Sequence, residues 1–328
     1  MQPKLTVGIP TVDRSEHIQY ALDSCLKQTL PVHIIVADQG HSDKTAAVMA
    51  RYKSHPQIEH IQTDATCLWE NWKAAARACT TEYFAWLQDD DTLARVFADR
   101  VVKGFEAFPP AVHWQGSCYC SPNRIHVVKQ GWNGPQVPVN MQDLVPEMWP
   151  GEIVPASMYC TCWALAPGWA FRCGEAFDAC LDSIPSDCDL FTERIIPAFM
   201  GSRGNVVADP IVAGYWHHHG QNESYAQNAN GSYLRQAKSM VAALDDITDA
   251  TKDWQGYFVM WLRTRSPVDA MTWLSEAHKN KTHPIALSRH TEAIQQALRE
   301  SLDGRVEAVQ KVPGNGTATA DGESLVWR

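Results

Sequence analysis

Between residues 5 and 108 the chain alternates short apolar runs with amphipathic ones, returning to a new apolar run every 25 or so residues, roughly the length of one strand–helix unit. Residues 5–10, 33–37, 58–61 and 83–87 are rich in branched and aromatic side chains and read as strands. Helical stretches separate them. In the first, which Ser15 can cap, Ile18, Ala21, Leu22, Cys25 and Leu26 fall at i, i+3, i+4, i+7 and i+8, a single apolar stripe that Pro31 brings to a stop. Ser42 and Asp43 open a second helix, residues 69–79 form an alanine-rich third, and Phe97, Val101 and Phe105 line one side of a fourth over 94–108. Strand–helix–strand units of this kind build a mostly parallel sheet with helices on both faces, joined by right-handed crossovers. Ligands of such sheets bind at the carboxyl ends of the strands.

The polar residues fall at that edge. Asp13, Asp38, Asp64 and the triplet Asp89, Asp90, Asp91 each lie just past a predicted strand. Two carboxylates about 6 Å apart repel by roughly 3 kcal/mol at an effective dielectric near 20. A chain tolerates three in a row where a cation or a solvated rim absorbs the charge. An oxygen-only cluster suits Mg²⁺ or Mn²⁺, with phosphate completing the shell. The competing reading is a solvated acidic turn that caps the next helix. Four strands delivering acidic or polar residues to one edge favour a binding site.

The remainder is less regular. Residues 112–120 read as a strand, 121–152 as a long surface loop rich in Pro, Gly, Asn and Trp, and 158–165 as another strand. The Cys118/Cys120 and Cys160/Cys162 pairs are too closely spaced for a structural zinc site and are read as small apolar residues. A helical stretch is expected from Phe171 to Phe177, then a helix that Asp187 and Asp189 start, then a short strand over 206–209 and three consecutive histidines, His217, His218 and His219. Residues 232–309 are amphipathic and helical in pattern, and 313–323 read as disordered. A net charge of −9 lacks the basic footprint of a nucleic-acid binder. No run approaches the roughly 20 apolar residues of a membrane span. Ten cysteines without an export signal are expected to be reduced thiols in the cytoplasm.

In order and spacing, five segments resemble the family 2 glycosyltransferases of the GT-A fold: IPTVDR at 9–14, VADQGHSDKT at 36–45, NWKAAARACTTEYFAWLQDDD at 71–91, SDCDLFTER at 186–194 and WHHHGQNES at 216–224. The resemblance implies a catalytic domain over 1–228, with a nucleotide-binding half to about 110 and an acceptor half beyond it. A helical region over 229–310 and a tail over 311–328 complete the chain. It implies an inverting transfer from a nucleotide-diphosphate sugar, a UDP-sugar being favoured, to a glycan, glycolipid or protein acceptor, with Mn²⁺ or Mg²⁺ as cofactor. Peripheral membrane contact and a homodimer are compatible with it.

By the same resemblance, Asp90 holds the metal and Asp89 the ribose. If the three aspartates are themselves the Asp-x-Asp element, Asp91 holds the ion instead. His219 completes the shell or holds a phosphate, and Asp38 accepts a proton from the base. Thr11, Asp13, Arg14, Asn71 and Lys73 line the nucleotide, and Asp187 is the general base. Val12, Gln39, Gln88 and Ser186 depart from the family pattern and bear on donor identity more than on reaction class. A nucleotidyltransferase of similar fold would want a glycine-rich loop after the first strand, and residues 11–14 contain no glycine. A non-catalytic nucleotide-sugar or carbohydrate binder would have no use for an intact triplet and Asp187.

Overall fold

A computed structural model describes residues 2–40, 42–121, 137–138, 166–189 and 192–217, with helical positions 235, 236, 239, 240, 242, 243 and 246 beyond them. The elements run β1 (Leu5–Thr11), α1 (Ser15–Leu26), β2 (His33–Asp38), α2 (Asp43–Ala50), β3 (Ile58–Gln62), α3 (Leu68–Arg77), β4 (Tyr83–Trp86), β5 (Thr92–Leu93), α4 (Phe97–Ala107), β6 (Ala111–Ser121), β7 (Val137–Pro138), β8 (Trp169–Arg172), α5 (Glu175–Ser183), α6 (Thr192–Arg203) and β9 (Asn205–His217). They form one nine-stranded sheet in the order β3-β2-β1-β4-β8-β6-β9-β5, with β7 on β6. The first four neighbours are parallel, in register from Thr6 opposite His33 and from Leu5 opposite Tyr83. Beyond β4 the sheet is mixed, because β8 runs antiparallel to both β4 and β6 while β9 runs parallel to β6.

Strands β1, β2 and β4 are buried on both faces, and alternate side chains feed two cores. Ile34, Val36, Tyr83 and Ala85 meet α1, α2 and α4 through Ile18, Leu22, Met49, Phe97 and Val101. Ile35, Ala37, Phe84 and Trp86 meet α3, α5 and α6 through Trp72, Ala75, Phe177 and Ile195. Trp86 centres the second core. Its ring lies 4.8–6.3 Å from those of Trp69, Trp72, Phe84, Trp169, Phe171 and Phe177, and its Nε1 donates to the Trp72 carbonyl at 2.9 Å. A Cβ on Gly8 would stand 2.5 Å from Phe84 Cζ and 3.0 Å from Ala75 Cβ, so glycine at the centre of β1 is what lets α3 lie close against the sheet.

Residues 171 and 172, expected in a helix, belong to β8. Phe171 pairs with both Phe84 and His113, so tertiary pairing decides a segment whose local pattern is ambiguous. The helix starts at Glu175 instead. Thr92 and Leu93, just past the triplet, form a short strand against β9. That strand runs for 13 residues, well past the expected 206–209. Among the described residues no helix is long and apolar enough to cross a membrane. The predicted strand at 158–165, most of the long loop, and the tail lie outside the described residues.

His113 carries a pH signature into this core. It is fully buried on β6, stacked 4.7 Å from Phe171, and burial lowers its pKa from 6.5 to about 3. The folded protein therefore keeps the ring neutral while the unfolded chain protonates it. The stability this provides is complete above about pH 6.5 and is lost as pH falls toward 3. His113→Leu removes that titration. Unfolding midpoints measured from pH 6.5 to 4 should show a slope shallower than the parent's by about 1.4 kcal/mol per pH unit.

Candidate active site

The carboxyl ends of β1, β2 and β4 meet at one place, and buried charge is concentrated there. Asp89, Asp90 and Asp91 are 5%, 5% and 0% exposed, so the solvated acidic turn is excluded. Ionised carboxylates withdrawn from water to that degree need partners. Thr11, the last residue of β1, donates its hydroxyl to Asp89 Oδ2 at 2.7 Å. Arg14 Nη1 stands 2.9 Å from Asp90 Oδ2 and 3.5 Å from Asp89 Oδ1. Asp91 turns the other way and accepts the His217 backbone N–H at 2.9 Å.

The loop after β1 is shaped to put Arg14 there. Asp13 has φ +51°, a left-handed conformation that aspartate tolerates better than most residues. Its Oδ1 accepts the Ser42 N–H at 3.1 Å, at the start of α2. A Cβ on Gly40 would meet that same oxygen at 2.3 Å, so glycine is required between the two loops. Asp38, which ends β2 and is buried, accepts the Gly40 N–H at 3.0 Å and faces His60 Nε2 at 3.2 Å. A carboxylate has about four acceptor positions, so these two contacts leave capacity for a ligand.

Two expected nucleotide contacts are placed elsewhere. Asn71 is fully buried, its amide donating to the Thr11 carbonyl at 3.3 Å and the Ala37 carbonyl at 3.0 Å, while its Oδ1 accepts from Thr63 Oγ1 at 2.8 Å. It ties the ends of β1 and β2 to the residue after β3, a strut behind the site instead of a wall of it. Lys73 lies two positions further round the helix, on the opposite side. Its ammonium pairs with Asp182 of α5 at 3.1 Å, and Arg77 joins the same carboxylate at 2.7 Å. The two cations hold the Asp182 carboxyl below its ordinary pKa, Arg77 contributing most.

The acceptor-side segment reaches the same edge. Asp189 Oδ1 accepts the Trp69 N–H at 3.0 Å, supplying the first turn of α3 with the cap that Cys67 does not provide. Asp187 is exposed, and its Oδ2 accepts from Ser239 Oγ at 2.6 Å. A cavity of about 780 Å³ is lined by Ser183, Pro185, Phe199, Arg203 and Ser239, among others. Ser239, which donates to Asp187, is part of its wall. None of Thr11, Arg14, Asp89 or Asp90 lines it.

Residue reading missed two neighbours of the triplet. Glu193, in the first turn of α6, accepts from Gln88 Nε2, immediately before Asp89. His217 is fully buried at the end of β9, with Nε2 3.0 Å from Thr92 Oγ1. His219, the histidine the family resemblance points to, lies outside the described residues. Of the expected ligand set, Asp90 and Asp91 are described and His219 is not. Among the described residues no three His, Cys, Asp or Glu side chains gather as a metal-ligand group, because Asp90 faces Arg14 and Asp91 faces β9. The donors still fit a hard divalent ion shared with a diphosphate. They are all oxygen, and the Arg14 guanidinium already places positive charge on Asp89 and Asp90.

The family model of glycosyl transferase family 2 matches residues 6–155. No curated protein matches the chain. Solved structures of the same fold include S. aureus TarS residues 1–349, at 11% identity and a TM-score of 0.59, covering 92% of each chain. The same TarS fragment in complex with UDP-GlcNAc aligns at 12% identity with a TM-score of 0.59, again over 92% of each chain. The mannosyltransferase PcManGT from Pyrobaculum calidifontis, in complex with GDP-Man and Mn²⁺, aligns at 15% identity with a TM-score of 0.54, over 94% of this chain and 88% of that one. At these identities the likeness establishes a GT-A fold.

The strut role of Asn71 has a direct test. Asn71→Ala strips partners from the Thr11 and Ala37 carbonyls and the Thr63 hydroxyl. It should cost about 3 kcal/mol in urea unfolding with no nucleotide present. A residue that only touched nucleotide would leave the unliganded protein's stability unchanged.

Proposed function

We propose that this chain, a family 2 glycosyltransferase over residues 6–155, moves a sugar from a nucleotide-diphosphate donor to an acceptor hydroxyl with inversion at the anomeric carbon. One observation carries this reading: the buried carboxylates that end β4 and the Arg14 that faces them lie at the carboxyl edge of a parallel sheet, beside the ends of β1 and β2. That is where an α/β sheet takes a nucleotide.

The chain's own residues have separable tasks. Asp38 faces the base with its remaining acceptor capacity. Thr11 orients Asp89, which takes the ribose hydroxyls. Asp13 holds the Ser42 end of the neighbouring loop at the rim. Arg14 exchanges part of its contact with Asp89 and Asp90 for the donor phosphates, because a guanidinium suits phosphate and carboxylate alike. Asp90 would hold a divalent ion together with the phosphates, and Mn²⁺ or Mg²⁺ there supplies charge stabilisation to the leaving diphosphate. Asp187 takes the proton from the acceptor hydroxyl as that oxygen attacks the anomeric carbon on the face opposite the diphosphate. It lies beside the cavity of about 780 Å³, which is large enough for a sugar-sized acceptor. A UDP-sugar is the favoured donor, and a glycan, glycolipid or protein the acceptor.

A thermal-shift panel of UDP-, GDP- and dTDP-sugars with and without Mn²⁺ tests the donor half of the proposal. Stabilisation that needs nucleotide and metal together is expected, and indifference to every combination would refute it. Asp187→Asn tests the chemistry. Donor binding should persist while turnover falls about 10² to 10⁴-fold, the usual contribution of a positioned base.

A further inference from the structure

Six cysteines stand as free thiols among the described residues, and two of them face each other. Cys79 follows α3 and Cys173 follows β8, 94 positions apart, with their sulfurs at 3.6 Å. Both are partly exposed, while Cys25, Cys180 and Cys188 are buried. Both lie against the start of β4: the Cys173 N–H donates to the Glu82 carbonyl at 3.0 Å, and Cys79 Sγ lies 3.9 Å from the Tyr83 carbonyl. The Thr81 hydroxyl is 3.5 Å from Cys79 Sγ. This is the opposite end of β4 from the aspartate triplet. A disulfide bond is about 2.05 Å long, so the sulfurs need approach by only about 1.5 Å, within reach of a side-chain rotation.

We propose that Cys79 and Cys173 form a reactive dithiol site that exchanges with low-molecular-weight disulfides and closes into a protein disulfide. The two sulfurs are not equivalent. The contact with Cys173 lowers the Cys79 pKa to about 6, and the same contact, with burial, pushes the Cys173 thiol up. Cys79 is therefore the attacking thiolate. It displaces one thiolate from the small disulfide, forming a mixed disulfide. Cys173 then gives up its proton, attacks the Cys79 sulfur and expels the second thiolate. Two protein thiols lose two electrons and two protons, and the small disulfide is reduced to two thiols. Cys67, also partly exposed, has its pKa raised by burial and serves as an internal comparison.

Oxidised glutathione applied to the full chain at neutral pH, followed by peptide mapping, tests this without reference to catalysis. The expected product is a Cys79–Cys173 crosslink, with loss of two hydrogens, no retained glutathione and a melting temperature several degrees higher that reductant reverses. Cys79 should react several-fold faster than Cys67. Cys173→Ser should trap glutathione on Cys79, with neither crosslink nor gain in melting temperature. Glutathione persisting on Cys79 in the unsubstituted chain, a crosslink to any other cysteine, Cys67 oxidising as fast, or no reaction at all would overturn the proposal.

Discussion

Three carboxylates buried in succession at the end of a parallel strand are the constraint around which this protein is arranged. Taking ionised groups out of water costs several kcal/mol each unless partners of opposite charge or good donors are waiting. Here the Thr11 hydroxyl, the Arg14 guanidinium and the His217 backbone N–H are waiting, each from a different strand or loop. The cost of that compensation is visible in local conformation. Arg14 stands at the N-cap of α1, where its charge opposes the helix dipole and it makes no side-chain cap. Asp13 beside it is left-handed. These departures from local preference are gathered at one place, and nothing in the helix itself is improved by them.

The scaffold behind that edge is stiff for a different reason. Asn71 binds three strand ends at once, and a core of rings around Trp86 fixes α3 against the sheet. The segment after α5 is joined to this scaffold by side chains from 189 and 193. Asp189 caps α3 and Glu193 meets Gln88, so the chain is tied down just after Asp187. Ser239 reaches Asp187 from the helical positions beyond β9 and also lines the cavity of about 780 Å³. Five buried tryptophans, Trp69, Trp72, Trp86, Trp114 and Trp169, are explained by packing alone.

Much of this could be read from the chain. The alternation of strands and helices up to residue 107, the parallel order and the acidic edge all follow from periods of 3.6 and 2 and from where the polar residues interrupt them. A motif names residues and not the face of the helix they occupy, and Lys73 faces Asp182 of α5. Phe171 pairs in β8 where a helix is expected, because the three apolar residues Trp169, Ala170 and Phe171 do not distinguish a strand from a helical turn until something pairs with them.

The sequence by itself determined the class of fold and the concentration of carboxylates at the carboxyl edge of the sheet, because side-chain direction in regular structure is a local property. Only the tertiary structure decided which charge meets which. The bond from Gln88 to Glu193 spans 105 positions and that from Asp91 to His217 spans 126. Such contacts depend on how strands from distant parts of the chain are ordered in one sheet, and no periodicity records that order.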